Sequence, residues 1–584
     1  MSGKVNFKDL YTLEGEALAK DPQRQPWQAY PRPQLKRDNW INLNGYWDLR
    51  VADTPGLPED GGDARRIRVP FCPESLLSGI RNHYEEGSFL FYTRKVTIPE
   101  GFSRGRVLLH IGAADQIADV YVNGRHAGSH EGGYWSFTCD ITAFLRTENE
   151  IVIRAQDDLR DQSMPYGKQT IKRGGMWYTP VSGIWQTVWM ETVPEKYIRS
   201  LRIQNGGDWA LIDTEDREMN GIVTVNTPEG DCKLPLVEGK ARFTTANPRM
   251  WSPEDPYLYT FTVETEQDRV ESYFALRTLQ IRTVNGCRRL CLNGKPYFFH
   301  GLLDQGYWSD GLLTPAGPEC FARDILAMKK LGFNTLRKHI KLEPEQFYYD
   351  CDRLGMIVFQ DMVNNGSYSF LRDTALPTIG IQKLPEWFHR DKTTQNRFLQ
   401  GMEKTVAQLK NHPCICYWTV FNEGWGQFEA DRMYERLREL DDSRFIDSTS
   451  GWFRRRKTDV DSRHVYFREL KLKAGEKPLV LSEFGGYSCK LENHAFNPDE
   501  TYGYGKFQDR TLYMQAVEKL YREQVLPLAQ RGLCAAIYTQ VSDVEDETNG
   551  LVTYDRKAEK LAAQIMLPIA HALQQAMTGS KTEG

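Results

Sequence analysis

The chain has 584 residues, 40% hydrophobic and 26% charged, with a net charge of -4. That length exceeds one hydrophobic core and implies about three domains, while the near-balanced charge offers no footing for nucleic acid or an acidic membrane surface. The 11 cysteines are odd in number and irregularly spaced, which points to reduced thiols in a cytoplasmic protein and away from a disulfide framework.

The amino terminus lacks the apolar core of a secretory leader, and no apolar run approaches the ~20 residues that cross a bilayer. Residues 1–195 form the first expected domain. From about residue 30 its runs alternate in the manner of strands, with a turn signal at Asn44-Gly45 and a hairpin tip at Asn123-Gly124. No helical periodicity interrupts them, so a jelly-roll β-sandwich is expected. Residues 196–280 carry a second set of short strands, at 198–203, 221–226, 240–245 and 257–263, with the spacing of an immunoglobulin-like sandwich that lacks the disulfide.

From residue 281 to 584 the pattern changes to alternating strands and helices. Strands are expected at 297–303, 335–340, 356–362, 415–422, 445–450, 464–467, 479–482 and 534–539. Phe321, Ile325, Met328 and Leu331 share one helical face; so do Phe398, Met402, Val406 and Leu409, and likewise Met433, Leu437 and Leu440. Gly332 and Gly355 follow their helices as C-terminal stops. Eight strands over roughly 300 residues fit a (β/α)8 barrel, whose chemistry sits at the carboxyl ends of its strands.

Two of those ends carry glutamate. Glu423 closes the fourth strand and Glu483 the seventh, each after an apolar run. A pair of carboxyl groups about 5 Å apart is what cleavage of a glycosidic bond with retention needs: one ionised as nucleophile, one protonated as acid. Asn422, beside Glu423, is placed to donate to a sugar hydroxyl next to the reacting carbon. The structural alternative is that each glutamate merely meets solvent at a strand end.

The stretches Gly332-Phe-Asn-Thr-Leu-Arg337-Lys-His339, Phe421-Asn-Glu-Gly-Trp425 and Leu481-Ser-Glu-Phe-Gly-Gly486 resemble glycoside hydrolase family 2. That family holds β-galactosidases, β-glucuronidases and β-mannosidases, and its order of jelly roll, immunoglobulin-like domain and barrel matches the layout above. The resemblance implies that Glu423 is the acid/base and Glu483 the nucleophile. Arg337 matches the family's arginine at the end of the second strand, placed either to pair with the nucleophile and hold it ionised or to form a structural ion pair, and the family puts a tyrosine near the nucleophile, here Tyr466. His339, two residues past Arg337, points to the same side, and His464 sits in the same segment as Tyr466. Asp361 ends the third strand, either to take a sugar hydroxyl or to cap the next segment. Asp304 and Gln305 follow the first strand, likewise either to take a sugar hydroxyl or to cap the next segment; the family's β-galactosidases and β-glucuronidases carry a basic pair there, and this chain departs from it. Trp425 is a stacking platform or a loop-packing residue, and Tyr538 occupies the place of a tryptophan at the floor of the sugar site or fills the core.

Cys414 and Cys416 near His412 resemble metal spacing, but they lie within a strand pattern and read as core; no metal and no cofactor is expected. The basic run Arg454-Arg-Arg-Lys457 reads as solvated surface, with attraction of an acidic sugar as the alternative, and the acidic run from Asp543 to Glu547 as a loop on the site rim. The family's glucuronidases carry Asn-any-Lys after the last strand; here Asn549-Gly-Leu lacks the lysine. By elimination the expected activity is that of a retaining exo-β-glycosidase on terminal β-galactosides, suited to short glycosides. A β-glucuronidase or other β-hexuronidase, or a silent carbohydrate-binding protein, are the alternatives. The expected partner is a small carbohydrate or glycoside, with homo-oligomers compatible with the large sandwiches.

Overall fold

The computed structural model describes residues 7–58, 63–376, 385–453, 455–466 and 468–578. Arg454 of the basic run and Phe467 of the expected sixth strand lie outside the described residues. None of the described helices is long and apolar enough to cross a membrane, and all 11 cysteines are unpaired.

The first β-rich region packs a four-stranded sheet against a six-stranded one around a shared core that includes Trp47, Val107, Val120 and Ile153. The hairpin at Asn123-Gly124 forms as expected. Both residues have positive φ, 53° and 77°, the two-residue geometry that matches strand twist and that asparagine and glycine tolerate. Asn44-Gly45 is different: Trp40–Asn42 joins the four-stranded sheet and Gly45–Ala52 the six-stranded one, so the chain changes sheet there. Buried Asn44 fixes the crossing, accepting from Val188 N at 3.1 Å and donating to Thr187 Oγ1 at 3.2 Å. The second region packs three strands on four. Its first strand is Arg202–Asn205, later than the pattern suggests. Residues before it are held instead by Asp268, which takes Ile198 N at 2.8 Å and pairs with Arg37 at 2.7 Å.

Eight parallel strands then make a nearly closed barrel: β1 Phe299–Asp304, β2 Thr335–Lys338, β3 Ile357–Asp361, β4 Ile415–Asn422, β5 Phe445–Ser450, β6 Asp461–Val465, β7 Leu479–Gly485 and β8 Leu533–Thr539. Hydrogen-bonded ladders run β5-β4-β3-β2-β1-β8-β7-β6. Between β5 and β6 side chains carry the closure: Ser462 Oγ donates to Thr449 O at 3.3 Å, and Ser450 Oγ meets His464 Nε2 at 3.0 Å. Near-continuous burial of these strands explains their apolar, non-alternating sequences, since helices cover one face and the barrel interior the other. The helix Glu345–Leu354 ends at Gly355, whose φ of 75° only glycine adopts freely.

A long excursion of the first region, residues 162–181, lies across the carboxyl end of the barrel. Tyr166 N donates to Asn364 O at 3.2 Å and its hydroxyl to Gly366 O at 2.8 Å. Arg173 reaches Glu545 at 2.5 Å and Asp546 at 2.7 Å, and Tyr178 bonds Glu547. The acidic run after β8 thus holds the sandwich excursion over the barrel mouth.

Candidate active site

Arg337 is the hub. Its guanidinium is buried, and its donors fan out from β2 to three other strands. Nε donates to Asp361 Oδ1 at 3.0 Å, Nη1 to Glu483 Oε1 at 3.0 Å and to Ser482 O at 3.1 Å, and Nη2 to Asn422 Oδ1 at 2.9 Å. A planar fork of this kind fixes its acceptors in angle as well as distance.

Glu483 also accepts from Tyr466 Oη at 2.6 Å, and its Oε2 lies 3.5 Å from His464 Nδ1. Burial pushes its carboxyl up, but His464, Arg337, His339 and the Tyr466 bond outweigh burial and bring it down to about 2. The carboxyl is therefore held ionised. Tyr466 shows the reverse effect: burial and the adjacent Glu483 charge raise its phenol well above the ordinary value, so it stays a donor. Its hydroxyl also meets Thr539 Oγ1 at 2.8 Å.

Glu423 stands across from this group, just past β4. Its backbone is left-handed, with φ of 53°, a conformation that costs a non-glycine residue of order 1–3 kcal/mol and persists where the surroundings impose it. Glu423 N is tied to Ser450 O at 2.9 Å, and Oε1 lies 2.7 Å from His464 Nδ1. Its side chain keeps 16% exposure against 6% for Glu483. One carboxylate oxygen of each glutamate and a ring nitrogen of His464 lie within 4.8 Å of one another. The sequence positions are sixty apart; the fold makes them neighbours.

The sequence matches three models in succession: "Glycosyl hydrolase 2 galactose-binding domain-like" over residues 80–221, "Glycosyl hydrolases family 2" over 211–277, and "Glycosyl hydrolases family 2, TIM barrel domain" over 283–567. The chain belongs to glycosyl hydrolase family 2. Among curated members, a β-glucuronidase of Felis catus is 26% identical over 446 residues, covering 68% of this chain and 65% of that one. A β-galactosidase of Thermoanaerobacter pseudethanolicus is 25% identical over 441 residues, covering 69% and 54%. The chain's matches thus span about two thirds of the first relative's length and about half of the second's. Among solved structures, a β-D-glucuronidase of Dictyoglomus thermophilum superposes with a TM-score of 0.71 at 19% identity, covering 94% of this chain and 99% of that one. A β-galacturonidase of Eisenbergiella tayi bound to galacturonate gives 0.66 at 17% identity, covering 94% and 99%. These structures share the fold.

The family 2 fold brings Glu423, Glu483, Asn422, Arg337, His339, Asp361, His464 and Tyr466 together. Asp361 is in neither of its expected roles. Both its oxygens are spent within the protein, on Arg337 and on His339 Nδ1 at 2.7 Å, and Arg337 with His339 outweighs burial to keep it ionised. As a sugar ligand Asp304 is a correction, and its other expected role holds: Oδ1 caps the next segment by accepting from Gly306 N at 2.9 Å. Phe299 on β1 packs against Phe359 and Phe445 inside the barrel, so Asp304 has the outward parity; it pairs with Lys338 at 2.6 Å beneath the helices. Tyr538 is corrected as a floor of the sugar site for the same reason and takes its other expected role, filling the core. It is fully buried, packs on Phe484 and Tyr521 and accepts from Tyr487 N, while its neighbour Thr539 faces Tyr466. Trp425 is 3% exposed, with Nε1 on Gly366 O at 3.1 Å; it packs within the loop, the second of its expected roles. The more exposed rings against it are Trp177, at 5.0 Å, and Tyr368, at 6.0 Å.

Sequence reading missed Trp177, Tyr368, Tyr504 and Lys168. Tyr504 stacks on Tyr466 at 4.5 Å. Lys168 Nζ lies 5.8 Å from the Trp177 ring centre, and its charge reaches both His339 and Glu547. It makes no ion pair among the described residues. All four come from excursions outside the strand ends, where no local pattern marks them. Within the basic run, Arg455 pairs with Glu386 at 2.8 Å and Lys457 with Glu435, on the outer surface.

Proposed function

We propose that this family 2 chain is a retaining exo-β-glycosidase with Glu483 as nucleophile and Glu423 as acid/base. The supporting observation is the carboxylate pair. Its oxygens come within 4.8 Å, close to the about 5 Å of double-displacement enzymes and too tight for the water that inversion needs between the groups. Glu483 is locked ionised by Arg337 and Tyr466, as an attacking carboxylate must be. It attacks the anomeric carbon while Glu423 passes a proton to the departing oxygen. Glu423 then takes a proton from water, which attacks the glycosyl ester and releases the sugar with its original configuration. Asn422, oriented by Arg337, is left with its amide nitrogen to donate to the sugar.

For the sugar, a β-hexuronide is the reading the geometry favours, because Lys168 offers a cation at the barrel mouth that no carboxylate among the described residues neutralises at contact distance. The named activities of the β-glucuronidase relatives agree. A β-galactoside is the second reading, favoured by the missing lysine after Asn549 and by the carboxylate of Glu547 on the same wall. The test is a panel of p-nitrophenyl β-glucuronide, β-galacturonide, β-galactoside, β-glucoside and β-mannoside, with the anomer of the first product read by NMR. Hydrolysis of a uronide with a β-anomeric first product is expected. Release of the α-anomer would sink the retaining assignment, and binding without turnover would support a silent protein.

A further inference from the structure

His464 has no exposed side-chain surface, yet it touches both glutamates. The hydrogen-bond network around it indicates where its protons stand. Nη1 of Arg337 lies 3.4 Å from His464 Nε2, but its two protons are committed to Glu483 Oε1 and Ser482 O at shorter range. On the other side Ser482 Oγ donates to Arg463 O at 3.2 Å and Ser450 Oγ donates to Ser482 Oγ at 3.1 Å. Each hydroxyl has one proton; with that of Ser450 given to Ser482 Oγ, Ser450 Oγ accepts from His464 Nε2–H at 3.0 Å. The remaining ring nitrogen, Nδ1, faces Glu423 Oε1 at 2.7 Å. A bare lone pair against a carboxylate at that distance would repel, so a second proton lies between the two atoms.

We infer that His464 is a positioning residue that holds the acid/base proton, shared between its Nδ1 and Oε1 of Glu423, in the resting enzyme. This rests on the assignment of Glu423 as acid/base. When the glycosidic bond breaks, Glu423 gives this proton to the departing oxygen while Glu483 forms the new bond to carbon. The attacking water of the second step returns a proton to Glu423, and the pair is reset. The charged groups facing His464 are Glu423 on the β4 side, Glu483 on β7 and Arg337 on β2. The last two bond each other, which leaves the proton to the Glu423–His464 pair.

Removing the imidazole leaves the proton one site instead of two, so it is given up at lower pH. The test compares pH profiles of kcat/KM for the full-length wild type, His464→Gln and Glu423→Gln, with a phenyl and a 2,4-dinitrophenyl glycoside of the sugar found by the panel. His464→Gln is expected to move the alkaline limb down by about one pH unit on the phenyl glycoside, the equivalent of one charge-assisted hydrogen bond. The dinitrophenyl glycoside, which departs without an acid, should show no such shift. An unmoved limb on the phenyl glycoside overturns the inference. Glu423→Gln that hydrolyses the phenyl glycoside at the wild-type rate overturns the acid/base assignment instead. Where His464→Gln does not fold, 15N-histidine NMR of wild type and Glu423→Gln decides. One imidazole is expected to carry Nε2–H with a shared proton at Nδ1 in wild type and to change at Nδ1 in the variant; spectra in which no imidazole changes overturn the inference.

Discussion

The two ends of the barrel interior are built from the same eight strands and are filled in opposite ways. At the amino-terminal end aromatic rings fill the space: Phe299 within 5.5 Å of Phe359 and 6.3 Å of Phe445, and Phe359 stacked on Tyr417 at 4.2 Å. Two residues past Phe359 on β3, and with the same inward parity, stands Asp361, which joins the ion network of Arg337, Glu483 and His339. Rings stabilise by leaving water and need no partner. Ionised groups buried to the same depth are tolerable only when every charge is answered. In this network each buried charge has its partner, and the one carboxylate left with greater exposure is Glu423. Stability resides at one end of the barrel, and reactivity is held in place at the other.

Mutations should separate the two ends. Glu483→Ala is expected to lower kcat by a factor on the order of 10^4 or more, with the folded protein intact by circular dichroism; wild-type turnover in this variant would end the nucleophile assignment. Glu423→Ala should lose on the order of 10^2 to 10^4 on a phenyl glycoside but far less on a dinitrophenyl glycoside, and equal losses on both would contradict an acid role. Phe359→Ala acts at the other end. It should cost about 3–5 kcal/mol of stability in urea unfolding while the folded fraction turns over far better than Glu483→Ala. Acid should weaken the mouth first. Glu483 is held near 2 when folded, below the ordinary carboxylate range, so its contribution is complete above about pH 4.5 and is lost as pH falls toward 2. Glu483→Gln should therefore flatten the acid side of a stability-versus-pH curve.

The aromatic end was the more legible in the sequence. Apolar runs located β4 and β5 to the residue, and the shared helical faces of Phe321, Ile325 and Met328 and of Phe398, Met402 and Val406 are buried. At the mouth, strand ends located Arg337, Asp361, Glu423 and Glu483, and the resemblance supplied the roles proposed for them. What failed was parity. A strand buried on both faces does not alternate, so nothing in its sequence says which residues look inward. For Asp304 and Tyr538 the sequence leaves two roles open for this reason, and outward parity selects the cap and the core; Thr539 has no signal at all. What stayed invisible was long-range assembly. Lys168 and Trp177 belong to an excursion of the first sandwich, far earlier in the chain than the barrel strand that leads to His339, and no local pattern ties the two segments together.

Lys168 gives the smallest effect and the sharpest test of how the mouth treats charge. The arginines nearest the glutamates and their rim have protein partners: Arg337 has Asp361 and Glu483, Arg173 has Glu545 and Asp546. Lys168 has the face of Trp177 and the longer-range charge of Glu547. If a sugar carboxylate completes its pairing, Lys168→Met, which keeps the apolar stem over the ring, should cut kcat/KM on the uronide by about 10- to 100-fold, the worth of one charge-assisted contact. The same change should leave a neutral glycoside nearly untouched or slightly improved. Equal losses on both would make Lys168 a support for Trp177 and return the sugar to the galactoside reading; no loss on either would place the substrate away from this wall of the mouth.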